Sequence, residues 1–277
     1  MRKSTLLIIF FYTLFLFAFF GCQGEEGIEP VVDDIIDNEF PEPQDQLEIL
    51  FIGNSYTGFH NMPGIFAELV ASSGKDDVYV DSAQTYNKRL PYFLHDLATL
   101  SKLHQRKWDI VIIPQSQYIV SNEISRFHHL DVSIEFEQLI LENNPNTKVM
   151  FFMEQAFKKG DDTYSPHDNF ELMTERVIEG SVEWAERMPI KTPIAPVAAV
   201  WGEFQKVNSR NVHLHMPDGY HASVEGAYAT ACTFFASIFK EPVNVEYYHE
   251  LVPVVAQKMQ TLASKVVLEN LEKWQND

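Results

Sequence analysis

Three residues that could together carry out acyl transfer lie far apart in the sequence. Ser55 stands in Gly-Asn-Ser-Tyr-Thr over residues 53–57, directly after an apolar run. Asp218 and His221 stand in Asp-Gly-Tyr-His over residues 218–221, just before a helical pattern. An aspartate three residues before a histidine on a tight turn can place its carboxylate against one imidazole nitrogen. The other nitrogen is then free to take the proton of a serine hydroxyl.

Each of these residues also has a simpler interpretation. A serine at a strand-to-helix turn can be a helix cap, Asp218 a turn former and His221 a surface residue. Their occurrence together in one α/β pattern favours the catalytic hypothesis. The turn at Ser55 would also offer free backbone N–H groups and a favourable dipole to a developing negative charge.

The elements that must position these residues follow an alternating pattern. The predicted strands are Leu47–Gly53, 78–83, 110–113, Lys148–Met153 and 194–200. The predicted helices are 62–73, 90–104, 131–143, 169–188, 223–239 and 251–274. Alternation of this kind predicts a parallel sheet with helices on both faces. Reactive groups in such sheets gather beyond the carboxyl ends of the strands, where Ser55 is placed.

The two motifs resemble the first and last sequence blocks of the SGNH/GDSL hydrolase superfamily, the first in a Gly-Asn-Ser variant. The resemblance implies a flavodoxin-like three-layer α/β/α sandwich with a mostly parallel five-stranded sheet. It also implies that Ser55 is the nucleophile, that His221 is the general base and then acid, and that Asp218 orients the imidazole.

The same resemblance suggests oxyanion donors. In the family these are the nucleophile's backbone N–H, here that of Ser55, a glycine N–H in a second block and an asparagine side chain in a third. Asn87 stands near the glycine position, and asparagine tolerates left-handed backbone. Pro-Gln-Ser-Gln over 114–117 replaces the third block, so Gln117 is the candidate donor and Gln115 the alternative.

Other residues near predicted strand ends are candidates for substrate binding. Glu154 follows the fourth strand and could line the pocket, while Trp201 after the fifth strand could form an aromatic platform. A solvated strand end and a buried core aromatic are the alternatives. His213 and His215 could share one face of an extended segment, but without a cysteine or carboxylate at ligand spacing a metal site is not predicted.

The N-terminus predicts export and lipidation. Arg2 and Lys3 precede an apolar run over 6–20 and then Gly21-Cys22, so residues 1–21 are interpreted as a lipoprotein signal peptide. Gly21-Cys22 resembles the lipobox in which the cysteine is acylated. Residues 22–46 hold nine acidic residues, three prolines and no basic residue, and predict an acidic flexible tether. The SGNH-like hydrolase domain is then 47–277.

Composition limits the classes of protein and partner. Hydrophobic residues make up 45% of the 277 residues and charged residues 22%, as in folded globular proteins. The net charge of −18 disfavours nucleic acid and anionic headgroups as partners. The lipidated cysteine is the only membrane contact expected.

These observations predict a serine esterase at the bacterial cell envelope, periplasmic or on the cell surface. It would work through a covalent acyl-enzyme, without cofactor or metal, on small-molecule or glycan esters. O-acetyl esters of carbohydrates are the expected class by analogy. The alternatives are a lipase or thioesterase of the same fold, and a non-catalytic glycan-binding lipoprotein.

Overall fold

A computed structural model describes residues 46–207 and 212–275. The predicted signal peptide, Cys22 and all but the last residue of the predicted tether lie outside the described residues. Within the described residues, no helix combines the length and the apolar character that crossing a membrane requires.

Within these two ranges, five parallel strands form one sheet in the order β2-β1-β3-β4-β5. The strands are β1 Leu47–Gly53, β2 Val78–Gln84, β3 Ile110–Gln115, β4 Lys148–Met153 and β5 Ile194–Ala195. This is the flavodoxin-like order, in which the chain changes direction across the sheet between β1 and β3. Ser55 follows β1 and therefore lies at this switch point.

Helices connect and cover the strands. They are α1 Ser55–Gly58, α2 Met62–Ser72, α3 Leu90–Phe93, α4 Leu97–His104, α5 Gln117–Val120, α6 Glu123–Asn143, α7 Phe170–Glu186, α8 Val197–Val207, α9 Val224–Phe239, α10 Pro253–Leu268 and α11 Leu271–Gln275. A short 3-10 helix, Phe59–Asn61, joins α1 to α2.

The core shows why both faces of the sheet are covered. Phe151 and Phe152 are adjacent in β4 and therefore point to opposite faces. Phe151 packs against Trp184 of α7 at 6.3 Å between ring centroids, and Phe152 packs against Phe234 of α9 at 5.2 Å. Helices α7 and α9 thus lie in different layers, and the predicted three-layer sandwich is confirmed, with an all-parallel sheet.

The predicted strand 194–200 is wrong beyond its second residue. Pro196 interrupts it, and the carbonyl of Pro196 accepts the backbone N–H of Val200 at 3.1 Å, which is the first turn of α8. The apolar run that suggested a buried strand is instead the buried face of a helix. Residues 194–200 fit either period, and the proline decides between them.

Two predicted helices are each two helices in the structure, and a third is longer than predicted. The segment 90–104 divides where Asp96 accepts the Thr99 N–H at 3.0 Å and caps α4. The segment 251–274 divides into α10 and α11. Helix α6 begins at Glu123 rather than 131, because Asn122 caps a first turn that lacks the apolar period on which the prediction relied.

Candidate active site

The turn that carries Ser55 is fixed by its neighbours. Asn54 caps α1, its side-chain oxygen accepting the Tyr56 N–H at 2.8 Å. A Cβ on Gly53 would clash with the side chain of Thr57, which folds back over the strand end, so glycine is required there. Ser55 is 5% exposed and opens the helix. Among the described residues, its backbone N–H has no hydrogen-bond partner.

Asp218 and His221 lie on a tight turn before α9. The Gly219 N–H donates to the carbonyl of Met216 at 3.0 Å, and Gly219 takes a φ of 79°, which favours glycine. One carboxylate oxygen of Asp218 accepts the backbone N–H groups of Tyr220 at 2.8 Å and His221 at 3.1 Å. These backbone hydrogen bonds therefore fix the position of the Asp218 carboxylate independently of its contact with the imidazole of His221.

The structure brings the three predicted residues into one line. Nδ1 of His221 lies 2.7 Å from the second carboxylate oxygen of Asp218, and Nε2 lies 3.0 Å from Oγ of Ser55. Burial alone would raise the pKa of Asp218, but hydrogen bonds from the His221 side chain and from two backbone N–H groups hold it below its ordinary value. Asp218 is therefore ionised at neutral pH and fixes a proton on Nδ1.

Aromatic rings hold the imidazole of His221 in this line. The Phe59 ring stacks on it at 4.2 Å between centroids with an interplanar angle of 19°, and the Tyr56 ring lies at 5.5 Å. The sequence analysis did not identify Phe59, because nothing in the sequence placed the 3-10 helix against the turn before α9.

The loop after β4 forms hydrogen bonds with the turn that carries Asp218 and His221. The backbone N–H of Lys158 donates to the carbonyl of Gly219 at 2.9 Å, and the Gln155 side chain donates to the carbonyl of Tyr220 at 3.3 Å. His215, 4% exposed, lies 2.8 Å through Nε2 from the carbonyl of Ala156. Burial lowers the pKa of His215 to about 4, so it is a neutral structural donor. No cluster of potential metal ligands occurs among the described residues, His213 and His215 included.

The candidate oxyanion donors lie in the turn after β2, at the end of β3 and at the start of α5. Asn87 has the left-handed φ of 60° that its residue type allows, and among the described residues its backbone N–H has no partner. The Gln117 side chain is 2% exposed and lies close enough to the Tyr56 hydroxyl, beside Ser55, to lower the pKa of that hydroxyl. Gln115 is directed elsewhere, because its amide donates to the carbonyl of Ser181 in α7 at 3.3 Å. This geometry favours Gln117 over Gln115.

Neither Trp201 nor Glu154, the two residues predicted to bind substrate, is exposed to solvent. Trp201 is 0% exposed in α8, where its ring packs edge-on against His215 at 4.9 Å and its Nε1 donates to Thr230 at 3.3 Å. The predicted platform at Trp201 is therefore wrong, since residue 201 belongs to the buried face of a helix. Glu154 is also 0% exposed and cannot line an open pocket.

The aromatic residues that are exposed near the site were missed by the sequence analysis. Tyr86 stacks on Phe59 at 5.6 Å, and Tyr220 lies between Asp218 and His221. Tyr118 follows Gln117, and the guanidinium of Arg89 lies 5.1 Å from the centre of its ring. All three tyrosines are more than a third exposed, so the segments after β2 and β3 and the turn before α9 present aromatic surface to solvent.

Solved structures with the same fold are found, although no protein-family model and no curated protein matches the sequence. A DUF4886 family protein from Bacteroides uniformis is 18% identical, with a TM-score of 0.68 over 81% of this chain and 95% of that one. A carbohydrate esterase family 3 from Talaromyces cellulolyticus is 15% identical, with a TM-score of 0.53 over 70% of this chain and 97% of that one. The fold expected from the SGNH/GDSL resemblance is thereby confirmed.

Proposed function

We propose that the protein is a serine ester hydrolase that works through a covalent acyl-enzyme. The observation that carries the proposal is the continuous line from Asp218 through His221 to Oγ of Ser55, with separations of 2.7 and 3.0 Å. These separations lie within the hydrogen-bond reach that a base needs to take the proton of a nucleophile.

The geometry supports the following reaction. Oγ of Ser55 attacks the ester carbonyl while its proton moves to Nε2 of His221, and Asp218 stabilises the imidazolium. The carbonyl oxygen becomes an oxyanion, which the N–H groups of Ser55 and Asn87 and the Gln117 amide are proposed to hold. His221 then gives its proton to the leaving alcohol. Water, activated by the same histidine, releases the acid and restores Ser55.

The proposed substrates are acyl esters of carbohydrates, with O-acetyl groups first among them. Exposed Tyr86, Tyr118 and Tyr220 around the site supply the aromatic surface on which sugar rings pack. The similarity in fold to a carbohydrate esterase gives this class further support.

A test of the proposed chemistry uses the purified domain with p-nitrophenyl acetate and a fluorophosphonate probe. We expect turnover and covalent labelling, both lost in Ser55→Ala, because Ser55 is the proposed nucleophile. Ser72→Ala, an exposed serine at the far end of α2, is the control and retains both. Labelling that persists in Ser55→Ala would contradict the proposal. Absence of labelling and turnover in the unaltered protein would favour a glycan-binding protein instead.

We also propose that the protein is lipid-anchored at a bacterial cell envelope through Cys22. The apolar run before Gly21-Cys22 and the acidic stretch after it support this location. The full chain is expressed in a Gram-negative host that is grown with a labelled fatty acid. The protein should acquire the label and sediment with the membranes. Cys22→Ala should remove the label, whereas Cys232→Ala should retain it. Label that persists in Cys22→Ala would contradict the anchor.

A further inference from the structure

Glu154 is a buried carboxyl group that the proposed reaction does not use. It directly follows β4, and its backbone N–H continues the ladder to the carbonyl of Gln115 at 3.4 Å. The residue is 0% exposed, and within the described part of the chain no cation forms an ion pair with it. Carboxyl groups are rarely buried without such a partner, so this one calls for an explanation.

The carboxyl group of Glu154 contacts both turns that build the site. The Asn54 side chain donates to its Oε1 at 3.4 Å. The backbone N–H of Gln117 lies close enough to the same carboxyl group to lower its pKa, and within the described residues Oε2 accepts no hydrogen bond. The Asn54 amide also donates to the carbonyl of Lys88 at 3.2 Å, next to Asn87. A single side chain thus joins the residue before the nucleophile to the residue that carries the candidate oxyanion amide.

We propose that Glu154 is a positioning residue, whose carboxyl group holds the Ser55 turn and the Gln117 turn at the separation that the oxyanion requires. This inference rests on the proposed esterase function. Positions of oxyanion donors must be accurate to a fraction of an ångström, and donors fixed before the reaction need no rearrangement during it.

The charge state of Glu154 supports this role. Burial raises its pKa to about 8, although the Asn54 side chain and the nearby backbone N–H of Gln117 act to lower it. The carboxyl group is therefore mostly protonated at pH 7 and brings no negative charge to the site. The titratable group that faces it is Tyr56 of α1, whose own pKa is raised by burial and by Glu154, and more weakly by Asp218 and Tyr220.

A pH dependence with a defined sign follows. As the pH rises through about 8, Glu154 ionises and places a negative charge beside the position where the oxyanion develops. Activity should therefore decline on the alkaline side. The variant Glu154→Gln keeps an oxygen that can accept from Asn54 and Gln117 but cannot ionise. It therefore distinguishes the effect of positioning from the effect of the negative charge.

The experiment measures kcat and KM for p-nitrophenyl acetate between pH 6 and 10, with the Ser55→Ala rate subtracted. At pH 7, Glu154→Gln should retain activity within about threefold, and Glu154→Ala should lose about 10- to 100-fold in kcat with little change in KM. Above pH 8 the unaltered protein should lose about tenfold per pH unit, a decline that Glu154→Gln should lack.

Glu137→Gln is the matched control. Glu137 is likewise buried, with its pKa raised by burial, and it accepts a hydrogen bond from Thr192 at 3.0 Å near the amino ends of the strands. This variant should keep the alkaline decline. An alkaline decline unchanged in Glu154→Gln, or full activity in folded Glu154→Ala, would overturn the positioning role.

A readout without turnover distinguishes this inference from the proposed function. Because the folded pKa of Glu154 lies above its unfolded value of 4.5, its contribution to stability is fully present below 4.5 and is lost as the pH rises through about 8. The melting temperature of Glu154→Gln relative to the unaltered protein should therefore be higher at pH 8 than at pH 5. If the melting temperatures differ in this way but no variant hydrolyses esters, the proposed function is rejected, and the positioning role with it. If they differ in this way and the unaltered protein is active, but Glu154→Gln keeps the alkaline decline, the positioning role alone is rejected.

Discussion

The two sides of Ser55 are built differently. On one side, the side chains of His221 and Asp218 are 24% and 39% exposed and form a short chain of hydrogen bonds on a surface turn. On the other side, Glu154 and Gln117 are at most 2% exposed and belong to the interior of the sandwich. One side faces water, and the other is closed to it.

This difference matches two separate demands of the proposed chemistry. Proton transfer requires an imidazole that can gain a charge and lose it again, which an ionised Asp218 and nearby solvent both assist. Stabilising an oxyanion requires fixed dipoles in a medium of low dielectric constant, where each hydrogen bond is stronger than in water. The exposed side is suited to moving the proton and the buried side to holding the charge.

The largest effect is expected on the exposed side. His221→Ala should lower kcat by roughly 10⁴- to 10⁶-fold, and Asp218→Asn by roughly 10³- to 10⁴-fold, because the first removes the base and the second its orienting charge. The rates are measured with p-nitrophenyl acetate at pH 7. His104→Ala, an exposed histidine at the end of α4, should match the unaltered protein. An Asp218→Asn variant with full activity would show that the hydrogen bond between Asp218 and His221 has no role in catalysis.

The two sides also differ in how far the sequence could predict them. Asp218 and His221 are three residues apart, so a local motif was enough to pair them. Ser55 was singled out by its place directly after a predicted strand, and the resemblance then supported its role. Glu154 contacts Asn54 across 100 residues, and that contact exists only because β4 lies two strands away from β1 in the sheet. No spacing along the chain carries that information.

The fold was predictable for a related reason. Strands β1, β3 and β4 are runs of apolar residues buried on both faces, and such runs are distinctive in a sequence. Residues 194–200 were misread because a short apolar run fits a strand and a buried helix equally well. Trp201 followed from that error, since a residue placed after a strand would face the site, whereas a residue in α8 faces the core.

A smaller effect on the buried side would sharpen the comparison between Gln117 and Gln115. Gln117→Ala should lower kcat by about 10²- to 10³-fold, the loss typical of one oxyanion donor, with little change in KM, because the amide acts on the transition state and not on the bound ester. Gln115→Ala is the matched control. Its amide already donates to Ser181, so its loss should lower the melting temperature and leave kcat within about threefold. If Gln115→Ala lowers kcat and Gln117→Ala does not, the side-chain oxyanion donor is Gln115 at the end of β3 and not Gln117 in α5. Equal and small losses in both variants would mean that backbone N–H groups alone hold the oxyanion. The buried side would then contribute by fixing the position of the Ser55 turn and not by a side-chain donor.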